Sequence, residues 1–178
     1  TWDDELRPPP EAGNRQARTV SAWGPEAQAN LARRRVLVVG AGSVGLGVLL
    51  NLAASGIESL TTIDFDVVKY HNLDRLVGAT RRDAKLRRPK VHVAEREARR
   101  ASTARRSEVF GIDLSVCEED GLKVALDHDL IFSCVDRPWA RAVLNSLAYT
   151  DLIPVIDGGV AIDTLPSGQM RNATWRSH

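Results

Sequence analysis

Three glycines at a fixed spacing are the clearest chemical signal in the sequence. Gly40, Gly42 and Gly45 form a G-x-G-x-x-G pattern inside VLVVGAGSVG, after a β-branched segment and before an apolar helical pattern. Such glycines permit a tight turn, let the backbone approach a phosphate and let a helix pack closely on a strand. A helix that begins near Ser43 would direct its unpaired N–H groups at the anion. The pattern predicts a nucleotide site, but alone it does not separate NAD from ATP.

Charged residues further along the chain favour a triphosphate. Asp64 follows the glycines at about the distance expected of a ribose-binding carboxylate. Arg75 and Lys90 come soon after it, where cations can stabilise the charge on a leaving pyrophosphate. Asp136 follows a later apolar run, and a carboxylate oxygen beside phosphates suits Mg²⁺. Enzymes that use NAD have no need of this carboxylate, so the set favours ATP with Mg²⁺.

Alternating strand and helix patterns indicate the elements that must position these residues. Strands are predicted at Arg35–Val39, Ser59–Ile63, Ile112–Cys117, Leu130–Cys134 and Ile153–Ile156, with one more at Gln169–Trp175. Helices are predicted at Pro25–Leu31, Ser43–Ala54, Pro89–Ala101, Gly121–Leu126 and Pro138–Tyr149, with an irregular crossover at Val67–Arg88. This order predicts an α/β fold, a Rossmann-like, doubly wound and mostly parallel sheet with helices on both faces.

Length and composition narrow the class of protein. The 178 residues, 43% of them hydrophobic, suffice for one domain with a full core. A net charge of +1 argues against a nucleic-acid binder. Half of the 24 Lys and Arg residues fall between Arg75 and Arg106, where we favour a solvated helix face over a binding patch. No apolar run reaches transmembrane length, so we expect no membrane partner and a cytoplasmic location.

The ends of the chain are predicted to differ from its centre. Residues 1–14 are polar and contain three consecutive prolines, so we expect an extended or mobile arm. Residues 15–178 are predicted to form the nucleotide-binding domain. Because the first residue is Thr1 rather than Met, we expect a fragment or a trimmed sequence.

The cysteines and histidines do not indicate a further catalytic or metal site. Cys117 and Cys134 are too few for a disulfide framework or a complete zinc site, and we expect both to be core residues rather than nucleophiles. The four histidines are scattered without the spacing of metal ligands.

Several motifs in a fixed order resemble those of the ThiF/MoeB/HesA adenylyltransferases, which are relatives of the ubiquitin-activating enzymes. The longest stretch, Val36–Arg75, contains the glycine pattern, a D-x-D after the second strand and N-L-x-R. The other matching stretches are Arg15–Arg18, Trp23-Gly24, Gln28, Arg88–Val91, Asp129–Asp136, Arg141–Asn145, Ile153–Val160 and Gly168-Gln169. The resemblance therefore covers nearly the whole chain after Arg15.

This resemblance implies activation of a C-terminal carboxylate on a ubiquitin-like or sulfur-carrier protein, with ATP consumed and pyrophosphate released. The roles that it implies are ribose binding for Asp64, phosphate contact for Arg75 and Lys90 with assistance from Asn72, Mg²⁺ binding for Asp136, and reach into the partner's site across a homodimer or pseudodimer for Arg18.

The sequence departs from the family's pattern at three positions. Leu76 replaces a Gln, Arg87 stands near a common Gly, and Arg137 replaces the Asn that follows the implied Mg²⁺ ligand. We expect Arg137 to affect how the adenine or the substrate tail is held. Family members usually continue past this point, so the resemblance implies that the domain is truncated at its C-terminus. The paired zinc cysteines of the family, and the transfer cysteine that many members have, are expected only beyond residue 178.

Structural roles compete with the functional ones at several positions. Asp64 could be a turn carboxylate, Lys90 a surface lysine and Arg18 part of the mobile arm. Asp66 is expected to cap the following turn, and Asp136 could cap the helix at Pro138. For Arg141, a structural salt bridge is as plausible as a nucleotide contact.

Two other functions remain open at this point. One is an NAD(P)-dependent oxidoreductase that uses the same glycine pattern, although no convincing hydride-transfer pair is present. The other is an inactive family partner that binds the carrier protein or dimerises without catalysis.

Overall fold

A six-stranded sheet organises the chain in the computed structural model, which describes residues 14–177. The strands are β1 (Arg35–Val39), β2 (Ser59–Ile63), β3 (Glu108–Ile112), β4 (Leu130–Ser133), β5 (Val155–Thr164) and β6 (Met170–Ser177). Their order is β3-β2-β1-β4-β5-β6. The first five strands in this order are parallel, and β6 runs antiparallel to β5. The predicted Rossmann-like, mostly parallel sheet is therefore confirmed.

Six α-helices and two 3₁₀ turns connect the strands. The α-helices are α1 (Ala17–Ala32), α2 (Ser43–Ala54), α3 (Arg81–Lys85), α4 (Lys90–Ala101), α5 (Glu119–Leu126) and α6 (Pro138–Thr150) within residues 14–177. The 3₁₀ turns are Asn14–Gln16 and Tyr70–Asn72. No helix in this part of the chain is long and apolar enough to cross a bilayer. The predicted arm lies outside the described residues, apart from Asn14.

Two apolar clusters cover the two faces of the sheet. One joins β1, β2 and β3 to α2 and α4, and its buried members include Val36, Leu60, Leu49, Val91 and Val109. The other joins β1, β2 and β4 to α5 and α6, and its buried members include Leu37, Ile63, Ile131, Ala125 and Leu144. Strand residues buried on both faces explain why β1 is a continuous apolar run rather than an alternating one.

The register of the parallel strands brings the predicted site residues to one edge of the sheet. Val39, the last residue of β1, pairs with Ile63 of β2 and with Ser133 of β4. The glycine loop after β1 therefore lies between the segments that begin at Asp64 and Cys134. This edge is the carboxyl end of the strands, where ligands of open α/β sheets bind.

The strand predicted at Ile112–Cys117 is wrong. The strand is Glu108–Ile112, and the chain leaves the sheet after Ile112. Val116 is buried although it belongs to a turn, because it packs into the cluster between the sheet and α5. The apolar residues that predicted a strand here therefore belong to a buried loop. Gly111 permits the close approach of β3 to α4, since a Cβ there would meet the Val91 carbonyl.

Other boundaries also differ from the predictions. The helix predicted from Pro25 begins at Ala17, and Gly24 interrupts it with a φ of 88° directly before the proline. Strand β5 begins at Val155 rather than Ile153 and continues to Thr164, where it forms a hairpin with β6. The crossover predicted as irregular contains a 3₁₀ turn and the short helix α3.

Arg87 occupies a backbone conformation that favours glycine. It follows α3 with a φ of 48°. Its N–H bonds to the Ala84 carbonyl and that of Arg88 to the Asp83 carbonyl, the two bonds of a Schellman C-cap. A glycine would take this position without steric cost, whereas the Arg87 side chain makes it less favourable.

Candidate active site

A cavity of about 530 Å³ opens at the carboxyl ends of β1, β2 and β4. Its wall contains seven of the predicted site residues: Gly40, Gly42, Asp64, Asn72, Arg75, Lys90 and Asp136. Gly45 lies behind this wall, and Arg18 does not line the cavity. The remaining lining residues include apolar side chains such as Val39, Ile63, Leu114 and Val116. The cavity is thus partly apolar and partly charged, as a nucleotide requires.

The three glycines of the loop differ in what a side chain at each position would contact. Gly40 has a φ of 98°, and a Cβ there would lie 2.7 Å from the carbonyl oxygen of Cys134. A Cβ on Gly45 would overlap the carbonyl oxygen of Gly40. A Cβ on Gly42 would meet no protein atom within 4 Å. Gly40 and Gly45 therefore shape the loop, whereas Gly42 borders open space at the start of α2, where an anion can approach the backbone.

Asp64 ties the loop to the end of β2. Its Oδ2 accepts a hydrogen bond from the Ala41 N–H at 2.7 Å, and its Oδ1 accepts one from the Asp66 N–H at 2.7 Å. Burial raises the pKa of Asp64 above its usual value, while these two N–H donors oppose the rise. The carboxylate has the structural role of a turn residue and still lines the cavity, so its remaining lone pairs are available to ribose hydroxyls.

Lys90 is held in the cavity wall by Asp66. Its Nζ lies 2.7 Å from Asp66 Oδ2, and its backbone N–H donates to the Asp66 carbonyl. Only 14% of the Lys90 side chain is exposed, so Lys90 is not a surface lysine. The Lys90 ammonium lowers the pKa of Asp66 below its usual value. The expectation that Asp66 would cap the next turn is wrong, because its carboxylate binds Lys90.

Asn72 and Arg75 approach the cavity from the crossover. Asn72 is buried, and its Oδ1 accepts the Lys69 N–H at 2.9 Å, which closes the 3₁₀ turn. The Arg75 side chain is less enclosed. Of this side chain 53% is exposed, and its Nη1 donates to the His71 carbonyl and to Asp74. The guanidinium thus lies beside the cavity on a short tether and can turn towards a phosphate.

Asp136 presents a carboxylate without a protein partner. It is exposed, lines the cavity and makes no hydrogen bond or ion pair with any of residues 14–177. It does not cap α6, whose N-cap residue is Arg137. The guanidinium of Arg141 donates from Nε and Nη2 to the Val135 carbonyl, at 3.1 and 2.9 Å. Arg141 therefore has the structural role that the sequence left open, and it steadies the segment before Asp136.

The donor set suits Mg²⁺ bound together with phosphates. Among residues 14–177, no group of three or more His, Cys, Asp or Glu side chains could enclose a metal ion. A single carboxylate is nevertheless what Mg²⁺ commonly takes from a protein when substrate phosphates and water complete its shell. Asp136 fits that requirement. The described residues do not supply a zinc site, which the sequence assigned to segments beyond residue 178.

The two cysteines lie in different surroundings. Cys134 is half-buried against the glycine loop, and burial raises the pKa of its thiol to about 11. Cys117 was predicted to be a core residue, and this is wrong: it is exposed and lines the cavity after the turn that leaves β3. The error has the same origin as the misplaced strand.

Sequence reasoning missed two contributors to this site and the contact that a third one makes. Phe65 and the turn Leu114–Cys117 line the cavity, although neither has a residue type that signals nucleotide chemistry. The guanidinium of Arg137 lies 5.5 Å from the centre of the Phe65 ring. The departure at Arg137 was visible in the sequence, but its contact with Phe65 depends on the pairing of β2 and β4 with β1.

Comparisons with known proteins identify the family of the chain. The ThiF family matches residues 14–171. The chain is 31% identical over 137 residues to a sulfur carrier protein adenylyltransferase of Thermus thermophilus, covering 77% of this chain and 49% of that protein. It is 32% identical over 135 residues to a molybdopterin-synthase adenylyltransferase of Escherichia coli, covering 75% and 52%. The chain thus spans about half the length of these relatives.

A solved structure shares the fold. Escherichia coli MccB, crystallised with AMPCPP and selenomethionine MccA, superposes with a TM-score of 0.73 at 25% identity. The match covers 84% of this chain and 47% of MccB. AMPCPP and MccA were crystallised with MccB, and for this chain the match shows the shared fold.

Proposed function

The chain belongs to the ThiF family, and on that premise we propose that it is an ATP-dependent adenylyltransferase. Its substrate is the C-terminal carboxylate of a ubiquitin-like or sulfur-carrier protein, and its products are the acyl-adenylate and pyrophosphate. The relatives named above are adenylyltransferases, one of them for a sulfur carrier protein, which supports this class of substrate.

One observation carries the proposal. A single cavity brings together the glycine loop, the Asp64 carboxylate, the Lys90 ammonium and the unpartnered Asp136 carboxylate. An NAD site would explain the loop and Asp64, but it would not account for the unpartnered carboxylate of Asp136. An inactive partner would not need an unpartnered carboxylate in the same cavity as Lys90 and Arg75.

The proposed reaction needs positioning and charge neutralisation rather than a protein nucleophile. A carboxylate oxygen of the carrier attacks the α-phosphorus of ATP, the bond from that phosphorus to the bridging oxygen breaks, and pyrophosphate leaves with the electron pair. Asp64 accepts hydrogen bonds from the ribose, and Gly42 lets the α2 N-terminus face the phosphates. Lys90 and Arg75 neutralise charge on the departing pyrophosphate, and Asn72 holds the turn that carries Arg75.

Mg²⁺ would be held by Asp136. When bound, it neutralises phosphate charge and polarises the phosphoryl oxygens. Before nucleotide binds, Asp66 keeps the Lys90 ammonium in the cavity wall, so the cation need not be gathered from solvent.

We also propose that the working unit is a homodimer in the cytoplasm. Arg18 is exposed on α1 and does not line its own chain's cavity, so a second protomer would have to bring it to the phosphates. The two free thiols, Cys117 and Cys134, are typical of a reducing compartment. Neither nucleic acid nor a membrane has a part in the proposed reaction.

Exchange of labelled pyrophosphate into ATP tests the proposed function. The assay uses the chain with Mg²⁺ and a panel of sulfur-carrier and ubiquitin-like proteins, and we expect exchange that requires both the metal ion and one of the carriers. Asp136→Ala should lower the rate by roughly 100-fold or more, because a charge-stabilising group of the transition state is lost.

Asp113→Ala is the matched control. Asp113 is also an exposed carboxylate after a strand, but it lies outside the cavity, so its loss should leave exchange unchanged. Exchange that survives in Asp136→Ala would refute the metal role, and absence of exchange with every carrier would refute the enzymatic function.

A further inference from the structure

Arg137 is the third cationic side chain of the cavity, and the mechanism above gives it no task. The cations in the wall, within the described part of the chain, are Arg75, Lys90 and Arg137. Arg75 and Lys90 both lie on the β2 side, where the crossover returns towards the sheet. Arg137 comes instead from the β4 side, immediately after Asp136.

The position of Arg137 is defined by the elements around it. Its guanidinium lies 5.5 Å from the centre of the Phe65 ring, and Phe65 follows β2. Because β1 lies between β2 and β4, this contact joins the two sides of the glycine loop. The Arg137 carbonyl accepts the Arg141 N–H, and the Arg141 side chain binds the Val135 carbonyl. The backbone is therefore held by hydrogen bonds, and the exposed Arg137 side chain lies over the Phe65 ring.

The hydrogen-bonding edge of Arg137 is unoccupied. Within residues 14–177 its guanidinium donates no hydrogen bond and forms no ion pair. The Arg137 guanidinium lies over the Phe65 ring and is one of the charges that lower the pKa of Asp66, and its N–H groups remain available to an anionic ligand. The fork of N–H groups matches a carboxylate in a bidentate pair.

We propose that Arg137 binds the carboxylate of the substrate tail and orients it for attack on the α-phosphorus. This inference rests on the proposed function. In-line displacement requires the nucleophile and the leaving pyrophosphate on opposite sides of the phosphorus. Arg75 and Lys90 are assigned to the leaving pyrophosphate, and Arg137 is the cation of the described cavity wall that remains for the attacking carboxylate. The adenine base is uncharged and does not require this cation.

Binding of matched acid and amide probes tests the inference. The probes are the Thermus thermophilus sulfur-carrier protein and synthetic MccA peptide, each with a C-terminal carboxylate or a C-terminal carboxamide. Calorimetric titrations use the full chain with AMPCPP and Mg²⁺. We expect the acid to bind about tenfold or more tightly than the amide, as a charge-assisted hydrogen bond permits.

Arg137→Asn, which removes the charge and keeps a polar side chain, should lose this preference for the acid while keeping its affinity for AMPCPP. Arg137→Lys should retain part of the preference, because the charge remains but the fork does not. Arg106→Asn removes another exposed arginine that is outside the cavity, and it should behave as the unaltered protein.

Each outcome of the titrations either supports or overturns the inference about Arg137. An unaltered protein that does not prefer the acid, weak or absent binding included, overturns the inference. So does a preference that persists in Arg137→Asn, or a variant whose only defect is weaker AMPCPP binding, which would assign the residue to the nucleotide. Pyrophosphate exchange by the unaltered protein reports separately on the proposed function: exchange with no effect of Arg137→Asn on the acid preference refutes the inference alone.

Discussion

At the scale of single residues, the three loop glycines are separable by what a methyl group would meet. A Cβ on Gly45 collides with the Gly40 carbonyl, one on Gly42 faces the cavity, and one on Gly47, in the middle of α2, meets nothing within 4 Å. Gly47 is therefore a matched control inside the same segment. Substitution by alanine at Gly45, Gly42 and Gly47 should therefore produce three different results.

We expect Gly45→Ala to lower the free energy of unfolding by about 1–3 kcal/mol, because the clash is with backbone that cannot turn aside. Gly42→Ala should cost less than about 1 kcal/mol but weaken ATP binding by about tenfold, since its Cβ stands where the backbone approaches phosphate. Gly47→Ala should raise stability by about 0.5–1 kcal/mol and leave ATP binding unchanged. Urea denaturation and calorimetry measure both quantities. Equal effects of all three substitutions would contradict this account of the loop.

How much of the site could be predicted from sequence depended on the kind of residue. The glycines and Asp64 were predictable because a short loop and a strand end are defined locally. The pairing of Asp66 with Lys90 was not, since it joins positions separated by a whole crossover. The contact between Phe65 and Arg137 was equally hidden, because it depends on which strands flank β1.

At the scale of elements, a half-buried histidine couples α5 to the sheet. His128 follows α5, its Nδ1 lies 2.7 Å from the Val124 carbonyl and its Nε2 lies 2.8 Å from Thr61 Oγ1 of β2. A carbonyl can only accept, so Nδ1 carries the proton and Nε2 accepts from the threonine. Burial lowers the pKa of His128 below its usual value, and the folded protein thus favours the neutral ring.

The lowered pKa of His128 predicts a pH-dependent stability. The unfolded chain binds the proton more readily, so the contribution is fully present above about pH 6.5 and is lost as the pH falls through the window between that value and the folded pKa. We expect His128→Asn to lose less stability than the unaltered protein between about pH 7.5 and about pH 5.5. Thermal unfolding at each pH measures the difference.

His92→Asn is the control for this experiment, since His92 is exposed on α4. It should follow the pH dependence of the unaltered protein. A His128→Asn variant with the same steepness as that protein would show that His128 does not govern this window.

Strands and helices were predictable where local signals agreed. The bounds of β1, α2 and β2 follow directly from the β-branched segments and from glycines at their ends. Strand β3 was misplaced because burial of Val116 in a turn imitates burial in a strand. The early start of α1 was missed, since the break at Gly24 gives Pro25 the signature of a first helical position.

At the scale of the whole molecule, the proposed homodimer makes a prediction that one chain alone cannot satisfy. If Arg18 acts in the partner's site, Arg18→Ala and Asp136→Ala each inactivate every site of their own dimers. A mixed dimer, however, contains one site with the partner's intact Arg18 and its own intact Asp136.

We expect an equal mixture of the two variants to recover about a quarter of the unaltered exchange rate, because half of the dimers are mixed and each has one intact site. The measurement is pyrophosphate exchange after subunit mixing, with light scattering to establish the dimer. Arg18→Ala mixed with Asp113→Ala controls for the effect of mixing itself. No recovery in a mixture shown to contain mixed dimers would place Arg18 outside the partner's site.

The intact mass of the carrier protein tests the central claim most directly. The carrier is incubated with the chain, ATP and Mg²⁺ and then quenched in acid, so that an acyl-adenylate can be detected by mass spectrometry. The account predicts a gain of one adenylyl group at the C-terminal carboxylate, absent with the C-terminal carboxamide and absent with Asp136→Ala. A carrier of unchanged mass under conditions in which ATP is bound, or an adenylyl group on a side chain instead of the C-terminus, would contradict it.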